Sequence, residues 1–170
     1  IDLIATQQPL AGDLRIIITT LPMSVELERI SDYAEGIARI SILMGDEPPL
    51  KPLIDIPRMA EKASDTLRRS LDAFVNRDII AATVVCNDDD EVDALYDQVY
   101  RELFTYMMAD LGVIRRATYL LWIAHDLERI ADRTTNIAER VIYMVTGKLS
   151  DIDRETVTAG IVTHNPTRTD

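Results

Sequence analysis

Cysteine is nearly absent. Cys86 is the single thiol among 170 residues, so no intrachain disulfide can form and packing alone must hold the fold. One thiol also fits a reducing compartment, and a cytoplasmic location is expected. Histidine is scarce. His125 and His164 are the only two, and neither completes a Glu-x-x-His pair, which excludes the ferritin-like di-iron oxidase pattern. Six glycines and seven prolines are too few to turn an all-β chain. Excess basic charge is missing as well. Eighteen Lys and Arg against 29 Asp and Glu leave a net charge of −11, with no basic stripe for a nucleic acid. No apolar run approaches the ~20 residues that span a bilayer. What remains is 47% apolar and 28% charged sequence, the composition of a globular domain.

Four long helical patterns are expected. The first covers about Leu10 to Met44, with apolar or small residues at Ile17, Thr20, Ser24, Leu27, Ser31, Ala34, Ala38 and Ser41. Those steps alternate between three and four, as along a coiled-coil seam. Pro22 inside it should kink it. Gly45, Pro48, Pro49, Pro52 and Pro57 mark a linker. The second helix is expected over Pro57–Val75 with Asp55 as its cap. The third is expected over Asp78–Asp110 with Asp78 as its cap, and the fourth over Val113–Thr146, closed by Gly147. No segment alternates as a strand does, so the class is all-α and the natural packing is a bundle. Residues 148–170 are polar and read as a loop or frayed tail.

The first and fourth helices repeat each other at an offset of 100 residues. Gly12 falls on Gly112, Arg15 on Arg115 and Leu21 on Leu121. Leu27-Glu28-Arg29-Ile30 falls on Leu127-Glu128-Arg129-Ile130, Asp32 on Asp132, and Ile37-Ala38 on Ile137-Ala138. The seam recurs at Ala117, Leu120, Ala124, Leu127, Ala131, Thr134, Ala138, Val141 and Val145. The chain therefore reads as tandem helical repeats, 1–50 being the remainder of the first and 51–147 the second. The opening Ile1-Asp2-Leu3-Ile4-Ala5 resembles the last turns of a helix, so more helix is expected before it.

The chemistry lies in carboxylates. Glu28 and Asp32 share a helix face, and Glu128 and Asp132 repeat the arrangement. Such a like-charge pair costs a few tenths of a kcal/mol in a bare helix, so something positive is expected to offset it. The third helix carries Asp88, Asp89, Asp90, Glu91, Asp93 and Asp97 without a Lys or Arg between them. Asp89, Asp93 and Asp97 form a ladder, with Asp90 on nearly the same face. Packed antiparallel, the third and fourth helices would gather these oxygens into a site for a hard cation such as magnesium, manganese, calcium or oxidised iron. The competing reading is a salt-bridged face around Arg29, Arg129 and Arg133. Cys86, the Met107–Met108 pair and the aromatics Tyr96, Tyr100, Phe104 and Tyr106 read as core packing. Trp122 reads as an anchor in the bundle or an interface, and His125 as a polar boundary residue.

The doubled Leu-Glu-Arg-Ile-x-Asp, together with Gln8-Pro9, Gly12-Asp13-Leu14-Arg15, Leu71-Asp72-Ala73-Phe74-Val75, Asp89-Asp90-Glu91-Val92-Asp93-Ala94-Leu95-Tyr96 and Asn136-Ile137-Ala138-Glu139-Arg140, resembles the PhoU family. That family regulates phosphate-specific transport. The resemblance runs from about Gln7 to Gly147. It implies two three-helix bundles, the first here lacking one helix and most of another. It implies a non-enzymatic adaptor between the ATPase subunit of a phosphate ABC transporter and a sensor histidine kinase, repressing the phosphate-starvation response. A homodimer is implied, peripheral to the membrane through its partners only. It further implies multinuclear metal sites, of iron, manganese, magnesium or zinc, at Glu28 and Asp32 and at Asp90, Asp93, Asp97, Glu128 and Asp132. Two other classes stay in view: the regulatory domain of a sodium–phosphate cotransporter, and a carboxylate-bridged metalloenzyme.

Overall fold

The computed structural model describes residues 2–148. The expected tail lies outside them from residue 149, as does the side chain of Asp89. Among the described residues six α-helices follow one another: α1 (Asp2–Gln7), α2 (Ala11–Met44), α3 (Asp55–Asn76), α4 (Ile79–Asn87), α5 (Asp89–Ala109) and α6 (Ile114–Thr146), with a 3-10 turn at Leu111–Val113. No strand occurs among the described residues, and no helix there is long and apolar enough to cross a membrane.

Helix α6 is the axis. It contains neither Gly nor Pro, and its seam residues Ala117, Leu120, Ala124, Leu127, Ala131, Thr134, Ala138 and Val141 are all buried. Helix α3 answers with Ile56, Met59, Ala63, Thr66, Ser70 and Ala73, buried in strict three–four steps. Val92, Leu95, Val99 and Leu103 do the same for α5. Burying each large aliphatic is worth about 1.5–3 kcal/mol, so this stripe fixes which face of α5 turns inward.

The single helix expected over Asp78–Asp110 is two. The chain bends at Asp88, where α4 ends and α5 begins. Four successive acids start at that point, and they favour the positive N-terminus of a new helix over the interior of an old one. Asp78 caps α4 as expected, its Oδ1 accepting from the Ala81 N–H at 3.0 Å. Asp55 is not a cap. It opens the first turn of α3, 3.8 Å from the buried ammonium of Lys51, which also pairs with Glu102. Helix α2 is continuous through Pro22. Gly147 adopts the left-handed conformation, φ 72°, that ends α6 as the sequence implies.

α2 packs antiparallel along α6. Arg15 Nε donates to the Met144 carbonyl at 3.2 Å, Arg133 reaches Glu26 at 3.4 Å, Gly36 abuts Asp126, and Arg115 reaches Glu47 at 3.2 Å. Exchanging each residue for its equivalent 100 positions away turns the Arg15 end of this row into the Arg115 end. Equivalent arginines thus reach across to the C-terminal end of the opposite helix, where cations suit the exposed carbonyls. Ile30 and Ile130, both buried, lie near the midpoint of the exchange. The seam of α2 has the opposite fate to that of α6: Thr20, Ser24, Leu27, Ser31, Ala34, Ala38 and Ser41 are exposed and Ile17 is half-buried.

Candidate metal centre

Helices α5 and α6 run antiparallel, joined by the short turn at Leu111–Val113. Near the start of α5 this places Asp93 beside the middle of α6. Asp93, Glu128 and Asp132 each offer a carboxylate oxygen, and the three oxygens lie within 4.8 Å of one another. Asp93 is exposed, Asp132 half-buried and Glu128 buried. Burial, then the neighbouring Glu128, push the Asp132 carboxyl above its ordinary range, against the pull of Arg129 and Arg133. Three oxygens this close, without a His or Cys among them, form a hard donor set that suits a cation preferring oxygen.

A guanidinium already answers part of that charge. Arg129 pairs with Glu128 at 2.5 Å and with Asp132 at 3.0 Å, and its own pKa is raised, chiefly by the Glu128 hydrogen bond. Both readings of the sequence, cation site and salt-bridged face, therefore meet on the same two carboxylates. Asp93 lies across the helix boundary from them and is what turns a pair into a triad.

The other expected ligands are not gathered. Asp90 and Asp97 are exposed on α5 outside the triad, and the Asp97 backbone carbonyl accepts from Arg101 at 3.1 Å. A helix turns 100° per residue, so ladder positions drift round the axis, and Asp93 is the position aimed at α6. Glu28 and Asp32 are exposed on α2, and among the described residues no third ligand joins them. Among the described residues, the face of α2 that carries them meets no helix equivalent to α5.

Two residues beside the triad were not expected there: the sequence reads Tyr96 as core packing, which it is in part, and does not single out Tyr33. Tyr96, one turn after Asp93, has its hydroxyl pKa raised by burial and by Glu128, and its ring centroid lies 6.2 Å from that of His125. Tyr33 of α2 contributes to the field at Arg129. Tyr96 was legible as the i+3 neighbour of Asp93. Tyr33 was not, because only the packing of α2 on α6 brings it near. His125 is half-exposed with Nδ1 3.9 Å from Glu128, a boundary residue as expected.

A family model described as the PhoU domain matches residues 1–41 and 56–141. The chain belongs to the PhoU family. A phosphate-specific transport system accessory protein PhoU homolog from Clostridium acetobutylicum is 40% identical over 154 residues, covering 90% of this chain and 70% of that one. Another, from Zymomonas mobilis, is 42% identical over 146 residues, covering 86% and 62%. The crystal structure of PhoU from Pseudomonas aeruginosa superposes with a TM-score of 0.82 at 37% identity, over 86% of this chain and 71% of that one. The chain spans between 62% and 70% of the length of the two curated relatives. PhoU proteins are regulatory accessory proteins of phosphate transport, not enzymes. The all-α bundle agrees with the PhoU fold.

Proposed function

We infer that this PhoU protein regulates phosphate uptake and represses the phosphate-starvation response. It does so as a cytoplasmic adaptor between the ATPase subunit of a phosphate ABC transporter and a sensor histidine kinase. What supports the reading is the match to relatives named as accessory proteins of phosphate-specific transport, along most of the chain. The acidic surface suits basic protein partners, since complementary potentials speed and select encounters.

The same reading gives the triad a cation, held by Asp93, Glu128 and Asp132. A bound divalent or trivalent ion would add to the positive charge that Arg129 already sets against Glu128 and Asp132, and would tie α5 to α6. Glu28 and Asp32 would form a second, weaker site, with Asp90 and Asp97 as outlying acids. The adaptor would work as a homodimer.

Co-purification tests the adaptor role. The tagged chain should retain both the transporter's ATPase subunit and the kinase from phosphate-replete cells, and its loss should derepress starvation genes. Retention of neither protein would refute the adaptor role.

A further inference from the structure

The rings that the sequence reads as core mostly lie outside it. Tyr100 is 45% and Phe104 51% exposed, because Val99 and Leu103 take the inward positions of α5. Tyr106 and Met108 are exposed too, while Met107 is half-buried against the core. Trp122, also 51% exposed and stacked on Tyr119, does not anchor the bundle. Beside the triad, by contrast, a charged side chain is drawn inward.

Arg129 closes over the two α6 carboxylates with three of its nitrogens. Nε and Nη2 each donate to one oxygen of Glu128 at 2.5 Å, and Nη1 lies 3.0 Å from Oδ2 of Asp132. Both Glu128 oxygens are therefore engaged, in the planar fork that guanidinium and carboxylate form best. Glu128 is buried, so solvent ions screen this fork less than one at the surface. The neighbouring cations do not share the task. Arg133 reaches away to Glu26 of α2 at 3.4 Å, and His125 Nδ1 stands 3.9 Å from Glu128, beyond hydrogen-bond range.

The clasp is not an automatic product of the local sequence. Helix α2 carries the same residues at the same spacing, Glu28, Arg29 and Asp32. All three are exposed, and among the described residues no ion pair joins them. In α6 the two acids are drawn inward beside Asp93 of α5. A carboxylate taken out of water needs a positive partner more than an exposed one does.

We propose that Arg129 is a built-in competitor for the triad: its fork on Glu128 must open before those oxygens can take a cation, so the clasp sets how highly charged that cation must be. The proposal deepens the cation reading of the triad and rests on it. A guanidinium and a metal ion seek the same Glu128 oxygens, and held on one carboxylate they repel each other. A monovalent ion brings no more charge than the guanidinium already there, and lacks its directed hydrogen bonds. Sodium and potassium therefore gain nothing by displacing Arg129, whereas a divalent or trivalent ion gains by its charge. Without metal, the clasp also relieves the repulsion between Glu128 and Asp132.

The full chain, stripped with EDTA, is titrated with manganese chloride in a calorimeter as wild type, Arg129→Gln and Arg129→Lys. Arg129→Gln should bind manganese about tenfold more tightly than wild type. Arg129→Lys should fall between the two, since lysine keeps the charge but not the fork. In EDTA, Arg129→Gln should melt below wild type, because buried Glu128 loses its partner. With manganese, its rise in melting temperature should exceed the wild-type rise. Equal or weaker manganese binding by Arg129→Gln would overturn the proposal and leave Arg129 a support for Glu128. Wild-type affinity in Arg129→Lys would overturn it as well, since charge and not the fork would then govern; that variant decides the matter alone should Arg129→Gln fail to fold. If wild type binds manganese and neither variant binds it more tightly, the clasp is no gate and the cation reading stands. If neither wild type nor variants bind manganese, the cation reading falls and the proposal with it.

Discussion

At the residue scale the triad and two glycines give the sharpest expectations. A cation that binds only the folded protein stabilises it by mass action, about 2.7 kcal/mol at a hundredfold excess over Kd. For a chain of this size that is a rise in melting temperature of about 5–10 °C. Manganese or ferric iron should produce it in the wild type. Asp132→Asn should remove most of it by deleting one oxygen ligand, and Asp32→Asn should leave it nearly intact. Thermal melts with and without metal read all three, and equal loss in the two variants would favour the Arg129 salt bridge as the sole role of these acids. Gly36 and Gly12 form a second pair. A Cβ on Gly36 would stand 2.8 Å from Asp126 Oδ2, whereas a Cβ on Gly12 meets nothing within 4 Å. Gly12→Ala should gain about 0.5–1 kcal/mol of helix stability, and Gly36→Ala should lose that gain or reverse it. Urea titrations that ranked the two alike would contradict the close approach. Asp126 supplies a pH signature. Burial raises its carboxyl above the ordinary value, with His125 opposing. An acid whose folded pKa lies above its unfolded one withdraws stability at neutral pH and returns it as pH falls through the raised value. Asp126→Asn should therefore be more stable than wild type at neutral pH, and the difference should shrink in mild acid. A urea midpoint measured at both pH values checks the sign.

At the scale of elements, α4 shows how local chemistry sets a boundary. Its nine residues carry no charge to start or stop them, and its beginning is written by Asp78 alone. Asp78→Ala should cost about 1 kcal/mol, the usual worth of such a cap, with the loss visible in the urea midpoint. An unchanged midpoint would mean that packing of Ala82, Val85 and Cys86 against α6 holds α4 without its cap. The break at Asp88 has a functional side. It begins α5 anew just before Asp93, so the orientation of the ladder is set by α5 packing on α6 and not by the direction of α4.

At the scale of the whole molecule, the two repeats are unequal among the described residues. The seam of α6 is closed by α3, α4 and α5, while the matching seam of α2 is open along Thr20, Ser24 and Leu27. A helix exposing such a strip tends to cover it. Multi-angle light scattering should show association growing with protein concentration, and Leu27→Glu should suppress it. A clean monomer at high concentration in the wild type would refute self-association along α2.

The sequence by itself determined the helical class, the Asp78 and Gly147 ends, the 100-residue repeat and the chemistry of Glu128 and Asp132. These rest on local propensities and on the three–four spacing, which a chain carries before it folds. Only the tertiary structure decided that Asp93, and not Asp90 or Asp97, meets the α6 pair, and that Tyr100, Phe104 and Trp122 face outward. Spacing along one helix says which residues share a face, but not which face a neighbour buries. That choice belongs to Val99 and Leu103, whose burial against α6 fixes the rotation of α5 about its axis.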